Sequence, residues 1–200
     1  MARDRAGTSA RRLPWPARRE QILAAATTSF AQAGFTATSL EDVAAAAGIT
    51  RAIVYRHFQS KTELYRAVLD RARDRLQEAG GDPPYTARII DDLVAAAAAD
   101  PDGFRLLFHH AGREPAFRAD VDRLTAAMAP LAHEHLAQAI PDPAWARWAA
   151  QLAPAVTIAA ITAWLDAGLP DPTSAADRIR HAARGIADAA RLQPNQPGSQ

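Results

Sequence analysis

Residues 34–61 read Gly34-Phe-Thr-Ala-Thr-Ser-Leu-Glu-Asp-Val-Ala-Ala-Ala-Ala-Gly48-Ile-Thr-Arg-Ala-Ile-Val-Tyr-Arg-His-Phe-Gln-Ser-Lys61. Gly34 is placed to end a preceding helix as a C-cap. Ser39 offers an N-cap with Asp42 three residues on, and Leu40, Val43, Ala44 and Ala47 follow as an apolar run. Gly48 stops this second helix after about two turns. Thr50 opens a third, running through Val54 to Phe58. Ser60 opens a fourth, with Glu63 completing a capping box and Leu64, Val68 and Leu69 facing inward. Two short helices joined by a tight glycine turn are the helix-turn-helix pattern.

The third of these helices has two unlike faces. Val54 and Phe58 lie four apart and can pack with Ile49, Val43 and Phe30, which leaves Arg51, Ala52, Tyr55 and Arg56 outward and Ile53 near the edge. A short face of arginines, a tyrosine and small residues suits the floor of a DNA major groove. Arginine can pair with guanine, Ala52 lets the backbone approach, and Ile53 can meet a thymine methyl. Phosphate anchors are expected to flank the reading helix: Thr38 and Ser39 precede it, and Tyr55, His57 and Lys61 follow. Lys61 is the only lysine in the sequence. In a chain that otherwise uses arginine, a lysine there hints at a positional need.

Working outward, residues 1–16 hold Arg3, Arg5, Arg11 and Arg12 with Pro14 and Pro16, and read as a basic arm. A first helix is expected after Pro16, with Ile22, Leu23, Ala26 and Phe30 as its apolar stripe. Gly80-Gly81-Asp82-Pro83-Pro84 reads as a break. Helices are predicted at 86–99, 101–112, 115–138, 143–167 and 173–191, punctuated by Asp100-Pro101, Glu114-Pro115, Asp142-Pro143 and Asp171-Pro172. The tail from Gln193 has a disordered composition. No segment alternates like a strand, so the expected class is all-α. The expected division is an arm at 1–16, a three-helix DNA-binding domain at 17–62, a helical domain at 63–192 and a tail at 193–200.

Composition narrows the function classes. Hydrophobic residues make up 48% and charged residues 22%, as in a soluble globular chain. The sequence has no cysteine, so disulfides, thiolate metal sites and thiol catalysis are excluded. The N-terminus has arginines but no apolar segment leading to a cleavage site, so no secretory signal is expected. Trp148 to Leu165 carries no charge, but Gln151, Thr157, Thr162 and Pro154 favour a buried or interface helix over a membrane span. Net charge is +1. Residues 1–75 hold 13 Lys and Arg against 7 Asp and Glu, and the remainder 10 against 15. The front of the chain is therefore suited to a polyanion.

The spaced elements Gly34-Phe-Thr-Ala-Thr-Ser, Val43-Ala, Ala47-Gly-Ile-Thr, Val54-Tyr-Arg-His-Phe, Ser60-Lys and Ala67-Val resemble the N-terminal domain of TetR-type transcriptional regulators over residues 18–70. The resemblance implies an all-helical, cytoplasmic homodimer whose second domain binds a small effector and which leaves DNA when the effector binds. It implies phosphate contacts at Thr38, Tyr55, His57 and Lys61, and base reading at Arg51, Ala52 and Ile53. It departs at Ile53, where a smaller or polar residue is common in the family.

The second domain says less. Trp164-Leu-Asp-Ala-Gly-Leu-Pro170 is similar to the end of the family's penultimate helix, which implies that the last two helices form a four-helix dimer seam. Leu152, Ile158, Ala159, Thr162, Ile179, Ala183 and Ile186 are the candidates for that seam. A largely apolar effector pocket would draw on Phe104, Leu107, Phe108, Phe117, Leu124, Met128, Trp145 and Trp148. His109 with His110, and His133 with His135, are spaced so that each pair points to different faces, which does not make a helical metal pair. No metal and no cofactor are expected. Rival readings are a helical-bundle enzyme and a regulator-like module acting only through protein contacts. The first lacks a matched nucleophile and base, a Glu-x-x-His motif and a phosphate-cradling loop. Tyr55 and Lys61 argue against the second.

Overall fold

A computed structural model describes residues 13–80 and 88–192. The basic arm lies outside them up to residue 12, as do most of the break at 80–84 and the tail at 193–200. Within them the chain is all-helical: α1 (Trp15–Ala37), α2 (Leu40–Ala46), α3 (Arg51–His57), α4 (Lys61–Gly80), α5 (Ile89–Ala99), α6 (Pro101–Arg105), α7 (Arg118–Leu136), α8 (Pro143–Asp166) and α9 (Pro172–Ala190).

The local signals act as their chemistry dictates. Gly34 sits at φ +80°, where a side chain would be strained, and breaks α1 into a long body and a last short turn. Gly48 at φ +64° does the same between α2 and α3. Ser39 caps α2 by accepting from the Asp42 N–H, and Asp42 accepts from the Ser39 N–H at 2.8 Å. Thr50 occupies the N-cap of α3, but its hydroxyl caps nothing. At α4 the Ser60 hydroxyl accepts from the Glu63 N–H at 3.1 Å. The Glu63 carboxylate reaches one residue further back than the box requires, to the Gln59 N–H at 2.7 Å.

The segment expected as one helix at 101–112 is not one. After α6 it widens into a π-helical turn (Leu106–His110) and tightens into a 3-10 turn (Ala111–Arg113). Leu106 and Leu107 of this turn are both buried in the first core cluster, and Phe108 packs beside Phe104 at 4.8 Å.

That cluster crosses the expected domain boundary. Ile22, Phe30, Val43, Val54, Phe58 and Leu64 share it with Leu106, Leu107, Phe117 and Val121. Phe30, Phe35, Tyr65 and Phe117 form its aromatic centre, with the Phe30 and Tyr65 centroids 4.9 Å apart and those of Tyr65 and Phe117 4.6 Å apart. An ion network reinforces the joint. Arg71 of α4 lies 2.6 Å from Glu20 of α1 and 3.3 Å from Asp100, the N-cap of α6. Arg75 lies 3.0 Å from Glu20 and 2.8 Å from Asp100.

The C-terminal helices have their own apolar clusters. Val94, Phe104, Ile161, Trp164 and Ile179 form one, and Ile140, Ala146, Ala149 and Ile186 another. Arg180 of α9 holds Asp91 of α5 at 2.5 Å. Trp164 donates its indole N–H to the Pro170 carbonyl at 2.9 Å and fastens the turn between α8 and α9. By length and composition α8 is apolar enough to cross a membrane, yet it packs against both α7 and α9.

Candidate nucleic-acid interface

The core fixes α3 through one face. Val54 is fully buried and Phe58 almost so, while Ile53 is half-buried against the same cluster. Arg51, Ala52, Tyr55 and Arg56 are exposed, as the spacing predicts. The Arg51 guanidinium lies 2.7 Å from the Glu41 carboxylate of α2, donates to the Tyr55 hydroxyl at 3.1 Å and stacks 4.9 Å from the Tyr55 ring centroid. These interactions hold the Arg51 side chain across the exposed face and raise its pKa, the Tyr55 hydrogen bond most and the Glu41 charge next.

The flanking residues divide in two. Ser39, Thr50, Tyr55 and His57 keep part of their surface open. Thr38 does not: its side chain is buried, and its hydroxyl donates to the Gly34 carbonyl at 2.7 Å. In this structure Thr38 closes the end of α1, so its hydroxyl points into the protein. Lys61 is half-buried. Its ammonium donates to the Phe35 and Thr36 carbonyls at 2.8 and 3.1 Å and lies 4.6 Å from the Phe35 ring. A compact, three-donor cation serves two converging carbonyls and keeps one N–H free, which rationalises a lone lysine at this point.

Trp15, which helical spacing does not single out, meets the end of α3. Its ring stacks on His57 with centroids 3.7 Å apart and planes 25° apart. Burial lowers the pKa of His57, and the nearby charges of Arg56, Arg19 and Arg18 lower it further. No periodic pattern connects residues 15 and 57, because the stack joins the start of one helix to the end of another. The Pro14-Trp15-Pro16 sequence, which opens α1, is its only local trace.

The eight pocket candidates are spread over the two core clusters, α7 and the outer side of α8. Leu107 and Phe117 belong to the first cluster and Phe104 to the second; Phe108 packs against both, and Leu124 against the first. Met128 is half-buried on α7. Trp145 and Trp148 stand outside on α8, 48% and 40% exposed, with centroids 5.5 Å apart. Leu107 and Leu124, with Leu69 and Val121, floor an open cleft of about 520 Å³ whose rim carries Arg66, Asp70, Arg73, Asp120 and Arg123. Among the described residues, no group of three His, Asp or Glu side chains could hold a metal.

The seam candidates divide likewise. Ile179 and Ile186 are buried within the chain's own core, and Leu152, Ile158, Thr162 and Ala183 are half-buried. Ala159 is exposed, in a stripe with Ala155 and Ala163 on α8. On α9 the exposed small residues are Ala182, Gly185 and Ala189.

The geometry defines a helix-turn-helix protein with an all-helical second part. Residues 22–68 match the family model for bacterial regulatory proteins of the tetR family. The transcriptional activator FasR of Mycolicibacterium smegmatis is 35% identical over 107 residues, covering 50% of this chain and 49% of that protein. The transcriptional repressor BepR of Brucella suis is 34% identical over 84 residues, 40% of each. The chain thus spans about half or less of the length of these curated relatives. A TetR-like transcriptional regulator from Rhodococcus sp. RHA1 superposes with a TM-score of 0.72 at 26% identity, covering 88% of this chain and 99% of that one. Residues 22–68 thus resemble the DNA-binding domain of tetR-family regulators, and the described chain is similar in fold to the Rhodococcus protein.

Proposed function

We propose that this chain is a homodimeric transcriptional regulator, a repressor, that reads near-palindromic double-stranded DNA through α3 and loses affinity for it when a largely apolar small molecule binds the second domain. The observation that carries this reading is the exposed α3 face of Arg51, Ala52, Tyr55 and Arg56 on a buried Val54 and Phe58. Arg51, Ala52 and Ile53 are its base readers, and Ser39, Thr50, Tyr55, Arg56, His57 and Lys61 its backbone anchors. Thr38 supports them by holding the α1 end in place. Two such helices in a dimer address half-sites about one helical turn, ~34 Å, apart or somewhat more. The small-residue stripes of α8 and α9 form the seam, because alanine and glycine let two helix pairs approach closely.

The second domain acts as a receptor, and the chain is not an enzyme. The cleft floored by Leu69, Leu107, Val121 and Leu124 supports this, being of the size that holds a small molecule. It lies against the π-helical turn, whose residues also pack on the DNA-binding helices, so a ligand there would act on the joint. Release requires that the ligand prefer the non-binding conformation, since equal affinity for both shifts nothing.

The test is selection of bound fragments from genomic DNA, followed by a gel shift of the recovered duplex across a salt series. Recovery of a near-palindrome whose affinity falls steeply with salt supports the reading. A chain that binds no duplex in a salt-dependent way is acting through protein contacts alone.

A further inference from the structure

Three arginines surround the Trp15–His57 stack without a carboxylate among the described residues. Arg56 lies 5.9 Å from the Trp15 ring centroid, and Arg19 lies 5.1 Å from that of Phe58. Arg18 donates only to the neutral Gln21 side chain, at 2.7 Å. Glu20, the acid nearest in sequence, is engaged by Arg71 and Arg75 instead. The Nδ1 of His57 is buried without a partner, so Nε2 is the nitrogen left to meet an incoming group. Arg56 belongs both to this cluster and to the exposed face of α3.

We infer that Trp15, Arg18 and Arg19 join Arg56 and His57 in a second DNA-backbone site at the meeting of α1 and α3, with Trp15 a positioning residue for the His57 ring. The ligand is the phosphodiester chain of duplex DNA, and the inference rests on the DNA-reading assignment of α3. Stacking on the indole limits rotation of the imidazole and leaves its edge free, so Nε2 donates to a phosphate oxygen at little ordering cost. The three guanidinium groups supply the field that draws the backbone in. None of these groups reads a base, so the site adds affinity and salt dependence but no sequence preference.

The experiment uses the full chain and fluorescence anisotropy on two duplexes of equal length, the selected operator and a scrambled one, across a potassium chloride series. The Arg18→Gln/Arg19→Gln pair should lower the slope of log affinity against log salt by about two to four per dimer on both duplexes, near 0.9 for each phosphate no longer neutralised in the two subunits. The ratio of operator to scrambled affinity should not change. Trp15→Ala should weaken both duplexes as much as His57→Gln, and the double variant should be no weaker than His57→Gln alone. Trp15→Phe, which keeps a stacking ring, should restore most of the affinity.

An unchanged salt slope in the arginine pair overturns the site, and additive effects of Trp15→Ala and His57→Gln overturn the positioning role. Should Trp15→Ala melt early, the exposed Arg19 with Arg18, and Trp15→Phe against Trp15→Leu, decide the question in folded protein. If the wild-type chain binds neither duplex, the α3 reading fails. If it binds and Arg51→Ala weakens the operator while the arginine pair leaves the slope unaltered, only the second site fails.

Discussion

Glu41 and Arg51 face each other across the helix-turn-helix at 2.7 Å, with both side chains about half exposed. A carboxylate at this point repels phosphates and competes for the arginine expected to read a base. An exposed pair of this kind contributes little to folding. Glu41→Gln should therefore leave the melting temperature nearly unchanged and tighten DNA binding on operator and scrambled duplex alike. Arg51→Ala should weaken the operator on the order of ten- to a hundredfold and relax preference at one base pair per half-site. Paired binding curves at fixed salt check both. A proportional weakening on the two duplexes would make Arg51 a backbone anchor.

The structural role of Lys61 and its proposed role on the DNA backbone separate experimentally. Lys61→Met keeps the apolar stem but removes the donors to the Phe35 and Thr36 carbonyls, and should cost about 1 kcal/mol in urea unfolding. Lys61→Ala and Tyr55→Phe should weaken operator and scrambled duplex by the same factor, because phosphates carry no sequence. Only the lysine variants should also lose stability.

Acid should destabilise the free chain. His57 and His110 both have pKa values lowered from 6.5, chiefly by burial, with neighbouring positive charges (Arg56 at His57) adding to the effect. The unfolded chain then takes up protons that the folded chain resists. Their contribution is intact above the unfolded value and falls as pH drops below about 6.5. Urea unfolding at pH 7.5 and 5.5 should show this decline, and it should shrink in His57→Gln and His110→Gln.

Arg71 is 12% exposed and holds Glu20 and Asp100 together, whereas Arg75, on the same two acids, is 44% exposed. Arg71→Ala leaves Asp100, itself largely buried, with less compensation and should cost roughly 2–3 kcal/mol. Arg75→Ala should cost well under half of that in the same denaturant titration.

Assembly is tested most cleanly at Ala159, which is exposed in the single chain, rather than at Ile158, which also packs on the chain's own core. Wild type should sediment as a dimer at micromolar concentration. Ala159→Arg should give a folded monomer, because it sets a charge into the proposed seam without disturbing the protomer. A monomeric wild type that still footprints a palindrome would exclude this seam.

The helices are legible in the sequence wherever a single residue has a strong local preference: Gly34 and Gly48 at positive φ, Ser39 with Asp42, and the prolines that open α6, α8 and α9. The exposed face of α3 is legible because Val54 and Phe58 occupy its inner side. Pairings between distant positions are not. Helical spacing says that Phe104, Phe117 and Trp148 are apolar on a face; it does not say that Phe117 meets Tyr65 or that Trp148 stays outside. The inward hydroxyl of Thr38 and the Trp15–His57 stack arise from the way α1 closes on its neighbours. No local signal in the sequence announces the π-helical turn at Leu106–His110.

The shared core sets a limit on treating the molecule as two exchangeable parts. Tyr65, buried on α4, packs against the rings of Phe30, Phe35 and Phe117. Cutting after residue 62, where the helix-turn-helix domain is expected to end from the sequence, would remove Tyr65 and bare the rings it covers. A hybrid that joins this helix-turn-helix to another C-terminal domain must therefore carry over the packing around Tyr65, including Leu106, Leu107 and Phe117. The seam that survives grafting lies beyond residue 121, some sixty residues downstream of the apparent one.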